Sequence, residues 1–215
     1  MQYSVFMGTN KNRLLAISLF TASLFFQRCS CKKAFGLDCA EVKYGFELPV
    51  KAFPNNDSIS IGDTIWLQIN ESTSFKDVQS GQIIDYSGAE NLGTVLSFGN
   101  YDSSLNSWTN ENPNNFKLVL MNGNGVLVNQ TPISIEYLFT EKDKRYMFLL
   151  AVIPKGKGLF SLLFSNSNNT YRKSDKCTKA NFMINFKDTN QHYPLNPFYI
   201  PGTNPRGGDY YFVVK

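Results

Sequence analysis

Apolar and polar residues alternate with a period of two along most of the chain after residue 43. Three segments show this best, and their apolar members are Tyr44, Phe46, Leu48 and Val50; Ile65, Leu67 and Ile69; and Ala180, Phe182, Ile184 and Phe186. Successive side chains of a strand point to opposite faces of its sheet, so this period predicts strands with one buried face. Pro49 lacks a backbone N–H, which indicates an edge position for the first strand.

Two turns lie between pairs of apolar segments. Residues 146–153 and 159–164 flank a turn rich in glycine and lysine, and residues 116–121 and 126–128 flank Asn122-Gly123-Asn124-Gly125. Such turns between apolar segments predict β-hairpins. Because the first pair is almost unbroken in its apolar character, it predicts a central hairpin that is buried on both faces.

The whole pattern after residue 43 contains about eight or nine strand-like segments and no convincing amphipathic helix. Polar stretches at 70–82 and 101–115 predict loops, and an insertion is expected around 70–115. Short strands separated by turn signals are typical of all-β sandwiches and barrels. We therefore predict an all-β fold, a single antiparallel β-sandwich of the immunoglobulin-like type, over residues 44–215.

The first 31 residues differ from the rest. Lys11 and Arg13 precede an apolar run of 13 residues, Leu14 to Phe26, and Cys29 and Cys31 follow it. A basic region and a short apolar region of this length predict a signal peptide rather than a membrane-spanning helix. We assign residues 1–30 to the signal peptide and 31–43 to a tether, which predicts export to the cell envelope.

This segment resembles a bacterial lipoprotein signal, in which a cysteine at the cleavage point becomes the lipidated first residue. The family pattern has an apolar residue three positions before that cysteine and a small residue directly before it. Cys31 follows Ser30 but has Arg28 at the apolar position, and Cys29 follows Arg28 but has Phe26 at the apolar position. The resemblance implies a membrane partner through a lipid anchor on Cys31, with Cys29 as the alternative and a secreted chain cut elsewhere as a further one.

The number of cysteines that remain after cleavage favours Cys31 as the lipidated residue. Lipidation there removes Cys29 with the signal and leaves Cys39 and Cys177 as a pair, whereas lipidation of Cys29 leaves an odd thiol. Two remaining cysteines in an exported chain motivate the hypothesis of a Cys39–Cys177 disulfide. Two buried free thiols are the alternative.

A weaker resemblance covers the whole chain. The order of short lipoprotein signal, early Cys39, alternating first strand and then Ile61-Gly62-Asp63-Thr64-Ile65-Trp66-Leu67 is similar to uncharacterised exported lipoproteins of the Bacteroidota type. The Gly-Asp-Thr-Ile-Trp stretch is also common at the second strand of immunoglobulin-like domains. The resemblance implies an exported β-rich domain and no particular activity.

The charge of the chain does not favour nucleic acid as a partner. The sequence has 21 basic and 17 acidic residues, for a formal charge of +4. Residues 1–30 hold three of the basic residues and no acidic one, so the remainder carries 18 against 17. A nearly neutral mature chain gives no electrostatic reason to expect nucleic acid as a partner.

The residue types that carry catalysis are sparse. His192 is the only histidine, and no Gly-x-Ser-x-Gly motif accompanies it. One histidine with few cysteines does not suffice for a zinc site, so we predict no metal and no cofactor. Candidate carboxylates are Glu136, Glu141, Asp143, Asp175, Asp188 and Asp209, and the sequence groups no two of them on one face.

Trp108 is the strongest candidate for ligand binding, because it lies in a polar stretch where a packed tryptophan is unexpected. An aromatic face can stack on a sugar or on a protein partner. The alternative for Trp108 is a cover over the end of the sandwich, and Trp66 is expected to be buried. We therefore predict a non-catalytic, lipid-anchored envelope protein with no catalytic residues that binds an unknown envelope protein or glycan. The alternative is an envelope hydrolase that uses His192 or a carboxylate pair.

Overall fold

The computed structural model describes residues 41–202 and 208–215. The predicted signal peptide, nearly all of the predicted tether, and Cys29, Cys31 and Cys39 lie outside these residues. Export, lipidation and the disulfide therefore stay predictions. In the described part of the chain, no helix is long and apolar enough to cross a membrane.

The described residues form 17 β-strands and two short 3-10 helices, η1 (Pro113–Asn115) and η2 (Tyr193–Leu195). In chain order the strands are β1 (Val42–Pro49), β2 (Lys51–Phe53), β3 (Ser58–Ile59), β4 (Ile65–Ser72), β5 (Ser74–Lys76), β6 (Ile83–Asp85), β7 (Gly93–Asp102), β8 (Ser107–Asn110), β9 (Phe116–Leu120), β10 (Val126–Gln130), β11 (Ser134–Leu138), β12 (Thr140–Lys142), β13 (Arg145–Pro154), β14 (Gly158–Phe164), β15 (Ser167–Arg172), β16 (Asp175–Asn185) and β17 (Asp209–Val214).

These strands form four sheets. Sheet I has the order β1-β16-β15, and sheet II has the order β12-β13-β4-β2 with β9 also paired to β13. Sheet III has the order β10-β11-β7-β14-β17-β3 with β8 paired to β7, and sheet IV is the pair β5-β6. The predicted all-β fold is confirmed. The strands do not form one antiparallel sandwich, because there are four sheets and because β1 with β16 and β3 with β17 pair in parallel.

The first segment of the described chain passes through three sheets, which a periodicity of two does not reveal. β1 pairs with β16 in sheet I, β2 with β4 in sheet II, and β3 with β17 in sheet III. Pro49 ends β1, and Pro54 follows β2 directly. Since proline cannot donate to a ladder, each one ends a stretch of pairing. Within the described residues β1 is an edge strand, as Pro49 predicted.

Both predicted hairpins are instead connections between sheets. β13 and β14 flank the turn at 155–157, but β13 pairs with β4, β9 and β12 in sheet II, while β14 pairs with β7 and β17 in sheet III. Likewise, β9 belongs to sheet II and β10 to sheet III. The turn residues mark a reversal of direction correctly. They do not determine whether the two strands pair with each other or pack face to face.

The region around 70–115 is part of the fold rather than an insertion. It contains β7, which lies between β11 and β14 in sheet III. The polar stretch 101–115, predicted as a loop, contains β8, which pairs with the second half of β7. Its polar composition reflects a strand with little buried surface.

Aromatic rings fill the space between sheets II and III. The ring centroid of Phe148, on β13, lies 5.3 Å from that of Tyr137 and 6.1 Å from that of Phe164, and both partners are in sheet III. Phe98 of β7 stacks on Phe116 of β9 at 4.8 Å. Offset and edge-to-face pairs of this kind stabilise a core beyond the apolar area that they bury. The two sheets therefore share one core.

A second group of rings joins sheet I to this core. Phe46, Phe75, Tyr86 and Phe182 are all buried, with ring centroids 5.2 to 5.7 Å apart. The Tyr86 hydroxyl donates to the carbonyl oxygen of Thr170 at 2.7 Å. Burial raises the pKa of Tyr86 to about 12, so the hydroxyl stays a donor. Apolar packing and a satisfied polar atom thus coexist at this junction.

The loop after β5 is held against β1 by Asp77. Its Oδ1 accepts from the Gly45 N–H at 2.9 Å, and the Val78 N–H donates to the Gly45 carbonyl oxygen at 2.8 Å. The Ser80 hydroxyl and N–H donate to Oδ2 at 2.6 and 2.7 Å. Donation by Ser80 and Gly45 lowers the pKa of Asp77 to about 2. A side chain at Gly45 would place a Cβ 2.7 Å from Val78 Cγ2, so glycine permits this contact.

We expect Asp77→Asn to lower the free energy of unfolding at neutral pH, because the amide NH2 group replaces one carboxylate oxygen as a partner of the Ser80 donors. The folded-state pKa lies below the usual 3.8, so the carboxylate stabilises the fold above that value. The difference between wild type and variant should shrink as the pH falls through about 4 toward 2. Urea unfolding midpoints across this range measure it.

Asp143→Asn, a substitution in an exposed turn, is the matched control and should show little difference at any pH. A difference between wild type and Asp77→Asn that stays constant down to the lowest pH would contradict the role assigned to the ionised carboxylate.

Candidate functional site

Trp108 lies on the outer face of sheet III, on β8, where it pairs with Tyr101 of β7. Its ring is 5.4 Å from the Tyr211 ring and 5.7 Å from the Tyr101 ring between centroids. The side chain is half-buried. Trp108 is therefore neither in a loop nor over the end of the sheets, since it lies across the solvent-facing side of β7, β14 and β17.

Gly99 makes this position of the ring possible. A row of paired residues, Asn110, Gly99, Ser161 and Tyr211, runs across β8, β7, β14 and β17. Neighbouring strands lie about 4.8 Å apart, so the indole has to pass over the row to reach Tyr211. A Cβ at Gly99 would lie 2.4 Å from Ser161 Oγ and 3.4 Å from Trp108 Cε3. The absence of a side chain leaves room for the Ser161 hydroxyl and lets the indole lie close to the β7 backbone.

A cleft of about 390 Å³ opens beside Trp108. Its floor is sheet III, and Asn196, directly after η2, lies at its rim. The residues that line it are Ser97, Phe98, Gly99, Trp108, Thr109, Asn110, Ser161, Leu163, Asn196, Asp209 and Tyr211. This volume lies in the lower part of the range for small-molecule sites. The cleft, which we call the Trp108 cleft, therefore fits a ligand of one or two rings.

A chain of hydrogen bonds holds the side chains of the cleft. Trp108 Nε1–H donates to Asn196 Oδ1 at 3.2 Å, Asn196 Nδ2–H donates to the Tyr211 hydroxyl at 3.1 Å, and that hydroxyl donates to Asp209 Oδ2 at 3.0 Å. In each of these three hydrogen bonds the donor is the side chain nearer to Trp108, and the last acceptor is a carboxylate. Successive hydrogen bonds of one direction polarise and strengthen one another. The ring of Trp108 is therefore held in place before any ligand arrives.

Asp209 is the charged member of this chain. Burial raises the pKa of its carboxyl above the usual value, and the hydrogen bond from Tyr211 opposes that effect. Burial and the neighbouring Asp209 carboxylate raise the pKa of the Tyr211 hydroxyl, which therefore remains a donor. Among the described residues only Tyr211 donates to the Asp209 carboxylate, through Oδ2, so Oδ1 is left as an acceptor for a ligand.

His192 is buried and occupied by structural contacts. Its Nδ1 lies 3.0 Å from the carbonyl oxygen of Tyr211, which can only accept, so Nδ1 carries the proton. With the Asn55 amide oriented to satisfy its neighbours, Asn55 Nδ2 donates to His192 Nε2 at 3.1 Å and to the Asn190 carbonyl oxygen at 3.0 Å. Neither ring nitrogen contacts a carboxylate or a hydroxyl of the described residues. The geometry does not assemble a general base here.

Two of the other candidate carboxylates, Glu141 and Asp175, accept hydrogen bonds within the fold. Glu141 accepts from the Gly88 N–H, and Asp175 accepts from the Cys177 N–H and from Thr178 and Arg172. In residues 41–202 and 208–215, no group of three or more metal-ligating side chains occurs. Trp66, expected to be buried, is only half-buried and stacks on Phe53, with ring centroids 6.4 Å apart.

Cys177 lies half-buried on β16, and its N–H donates to Asp175 Oδ1 at 2.9 Å. Its predicted partner, Cys39, lies outside the described residues, as do both candidate lipidation sites. The Cys39–Cys177 pairing and the choice between Cys31 and Cys29 therefore stay predictions.

Sequence reasoning found Trp108 but not its partners. Asn196 and Tyr211 are 88 and 103 residues away along the chain. One signal was present: in β17 Tyr210 and Phe212 alternate with Asp209 and Tyr211, so a buried face for the first pair places the second pair outside. No pattern marked Gly99 as the position over which the indole lies.

Scans against protein-family models, curated proteins and solved structures found no significant match. The geometry described above therefore carries the functional argument alone.

We expect Asp209→Asn to raise the free energy of unfolding near neutral pH. The folded-state pKa of Asp209 is raised, so the folded protein binds its proton more tightly than the unfolded chain, and ionisation at neutral pH weakens the fold. Asparagine removes this charge and keeps an oxygen for the Tyr211 hydroxyl. Urea midpoints should show a gain near pH 7 that disappears as the pH falls below the Asp209 pKa.

Asp188→Asn, which alters an exposed carboxylate, is the control and should change little. A lower midpoint for Asp209→Asn near pH 7 would mean that the carboxylate stabilises the fold, and would refute a functional reason for keeping it.

Proposed function

We propose that this chain is an exported, non-catalytic binding protein that is held at the cell envelope by a lipid on Cys31 and takes its ligand in the Trp108 cleft. One observation carries the binding function: a hydrogen-bonded chain ending at a partly buried carboxylate holds an aromatic ring over a cleft. Such an arrangement weakens the fold at neutral pH and prepares a surface for contact. Preorganised side chains reduce the entropy that binding costs.

The side chains of the cleft support binding rather than catalysis. Asn196 and Tyr211 use their polar atoms to orient Trp108 and Asp209, and His192 is engaged by Tyr211 and Asn55. The hydrolase alternative needs a nucleophile or water activated by a base, and no contact among the described residues supplies that pair. A site of oriented acceptors and one aromatic face suits recognition.

The finer fold assignment is part of this proposal. Sheets II and III face each other across a shared aromatic core, as the two sheets of an immunoglobulin-like sandwich do. We treat sheets I and IV as additions to that sandwich. Such domains present binding surfaces on sheet faces and loops, although a fold by itself specifies no ligand.

The anchor rests on residues 11–31. A basic pair, a short apolar run and a cysteine after Ser30 match an export signal with a lipidated first residue. Removal of Cys29 with the signal leaves Cys39 and Cys177, which we propose form a disulfide in an oxidising compartment. A lipid anchor places the binding domain at a membrane surface without a spanning helix.

We expect cells that express the full-length protein to incorporate radiolabelled fatty acid into it. Cys31→Ser should abolish the label and leave the precursor uncut, whereas Cys29→Ser should keep both labelling and processing. Label on wild-type protein that is lost with Cys29→Ser and kept with Cys31→Ser would move the anchor to Cys29. An unlabelled, unprocessed chain in the cytosolic fraction would refute the anchor altogether.

We expect a small-molecule library of sugars, amines, amino acids and short peptides to contain at least one compound that binds the full-length protein. Thermal stabilisation measured over a concentration series identifies it. Trp108→Ala should weaken binding at least tenfold, equivalent to about 1.4 kcal/mol, because the stacking surface is lost. Trp66→Ala, at the other tryptophan, should bind as wild type does. Loss of binding in both variants or in neither would place the ligand elsewhere.

A further inference from the structure

We propose that the Trp108 cleft takes a neutral sugar ring, with one C–H face on the indole of Trp108 and hydroxyl groups directed to Asp209. This inference rests on the proposed binding function and names its ligand class. Three features of the described lining carry it: its charge, the kinds of polar groups that it offers, and its dimensions.

The charge of the described lining residues argues against anionic ligands. Asp209 is the one titratable acid among the described lining residues, and these residues include no lysine or arginine. Among the described residues, a phosphate, an acidic peptide or a uronic acid would therefore meet a carboxylate without a lysine or arginine to compensate. Like charges at short range in a partly desolvated site oppose binding. The ligand is expected to be neutral.

The polar groups select a ligand that is rich in hydroxyls. Apart from Asp209, the polar lining consists of neutral hydroxyl and amide side chains, namely Ser97, Thr109, Asn110, Ser161, Asn196 and Tyr211. Serine and threonine hydroxyls and free amides both donate and accept, and the Asp209 oxygen that Tyr211 leaves free only accepts. A sugar hydroxyl donates to that oxygen while accepting from a neighbouring side chain. An amide or aromatic ligand presents fewer groups that do both.

The aromatic component fits the apolar face of the same ring. Trp108 Nε1–H is already engaged by Asn196, so the indole offers a ligand its ring surface rather than a hydrogen bond. A pyranose carries its C–H bonds on one face and its hydroxyls around the rim, which matches a ring surface beside a band of polar groups. The cleft volume of about 390 Å³ accommodates one or two such rings.

The test uses the full-length protein in a zwitterionic detergent that has no sugar head group. The Trp66→Phe background leaves Trp108 as the one tryptophan, so its emission reports on the cleft. The probes are the methyl glycosides of glucose, galactose, mannose and N-acetylglucosamine, and methyl glucuronide. Methyl glucoside and methyl glucuronide share a ring and differ by a carboxylate, which makes them a matched pair for the charge argument.

We expect at least one neutral glycoside to change the Trp108 emission saturably, with a Kd of about a millimolar or tighter. If that glycoside is glucoside, glucuronide should bind at least tenfold more weakly, and Asp209→Asn should reduce that ratio because it removes the repulsion. Saturation-transfer NMR should show the strongest signals on the C–H protons of one sugar face. Trp108→Ala should abolish those signals.

Each contrary outcome has one meaning. If no neutral glycoside binds saturably, or if glucuronide binds as tightly as the neutral glycoside that binds best, the sugar inference fails. If a non-sugar compound from the library binds and depends on Trp108, the binding function stands without it. If neither the glycosides nor the library bind in a Trp108-dependent manner, both fail together.

Discussion

The packing of aromatic side chains between sheets II and III determines where every other feature lies. Once Phe98, Phe160 and Phe212 face this core, the period of two directs the residues between them to the opposite side of sheet III. Asp209 and Tyr211 reach the solvent-facing side for that reason alone. The candidate site is therefore a consequence of core packing, and a register shift of one residue in β17 would bury the acid and expose the core.

The second constraint is steric and concerns one position. On the outer face of sheet III, Gly99 lies beneath the indole of Trp108, and a Cβ there would clash with Ser161 Oγ at 2.4 Å and touch Trp108 Cε3 at 3.4 Å. Glycine in a strand interior costs stability, and so does a carboxylate with a raised pKa. Two costs at one place, beside a directed series of hydrogen bonds from Trp108 to Asp209, are difficult to explain by folding alone. Functional sites are where such costs are commonly retained.

Sequence reasoning succeeded where a local property decides the outcome. Alternation at 44–50, 65–69 and 180–186 predicted strands because burial of one face is a local demand, and Pro49 correctly marked an edge within the described residues. The prediction failed where the outcome depends on which strands pair or pack with each other. Asn122–Gly125 reverses the chain, but its flanking strands join different sheets, β9 in sheet II and β10 in sheet III. The two sheets share an aromatic core through contacts such as Phe148 with Tyr137, and the turn residues carry no information about those contacts. Trp108 was identifiable as an unusual residue, whereas its contacts with Asn196 and Tyr211 depend on a topology that no single segment encodes.

His192, the only histidine, stabilises the surroundings of the Trp108 cleft without being one of its lining residues. His192 adopts a left-handed backbone conformation directly before η2, and Asn196 is the residue that caps the C-terminal end of η2. Nδ1–H of His192 donates to the carbonyl oxygen of Tyr211, and Asn55 donates to Nε2 from the segment before β3. These bonds join three separate parts of the chain, the His192–Tyr211 bond being buried and Asn55 lying at the surface, and they hold the start of the segment that carries Asn196. The only histidine of the chain thus helps to position Asn196, whose amide orients Trp108, and its role is structural.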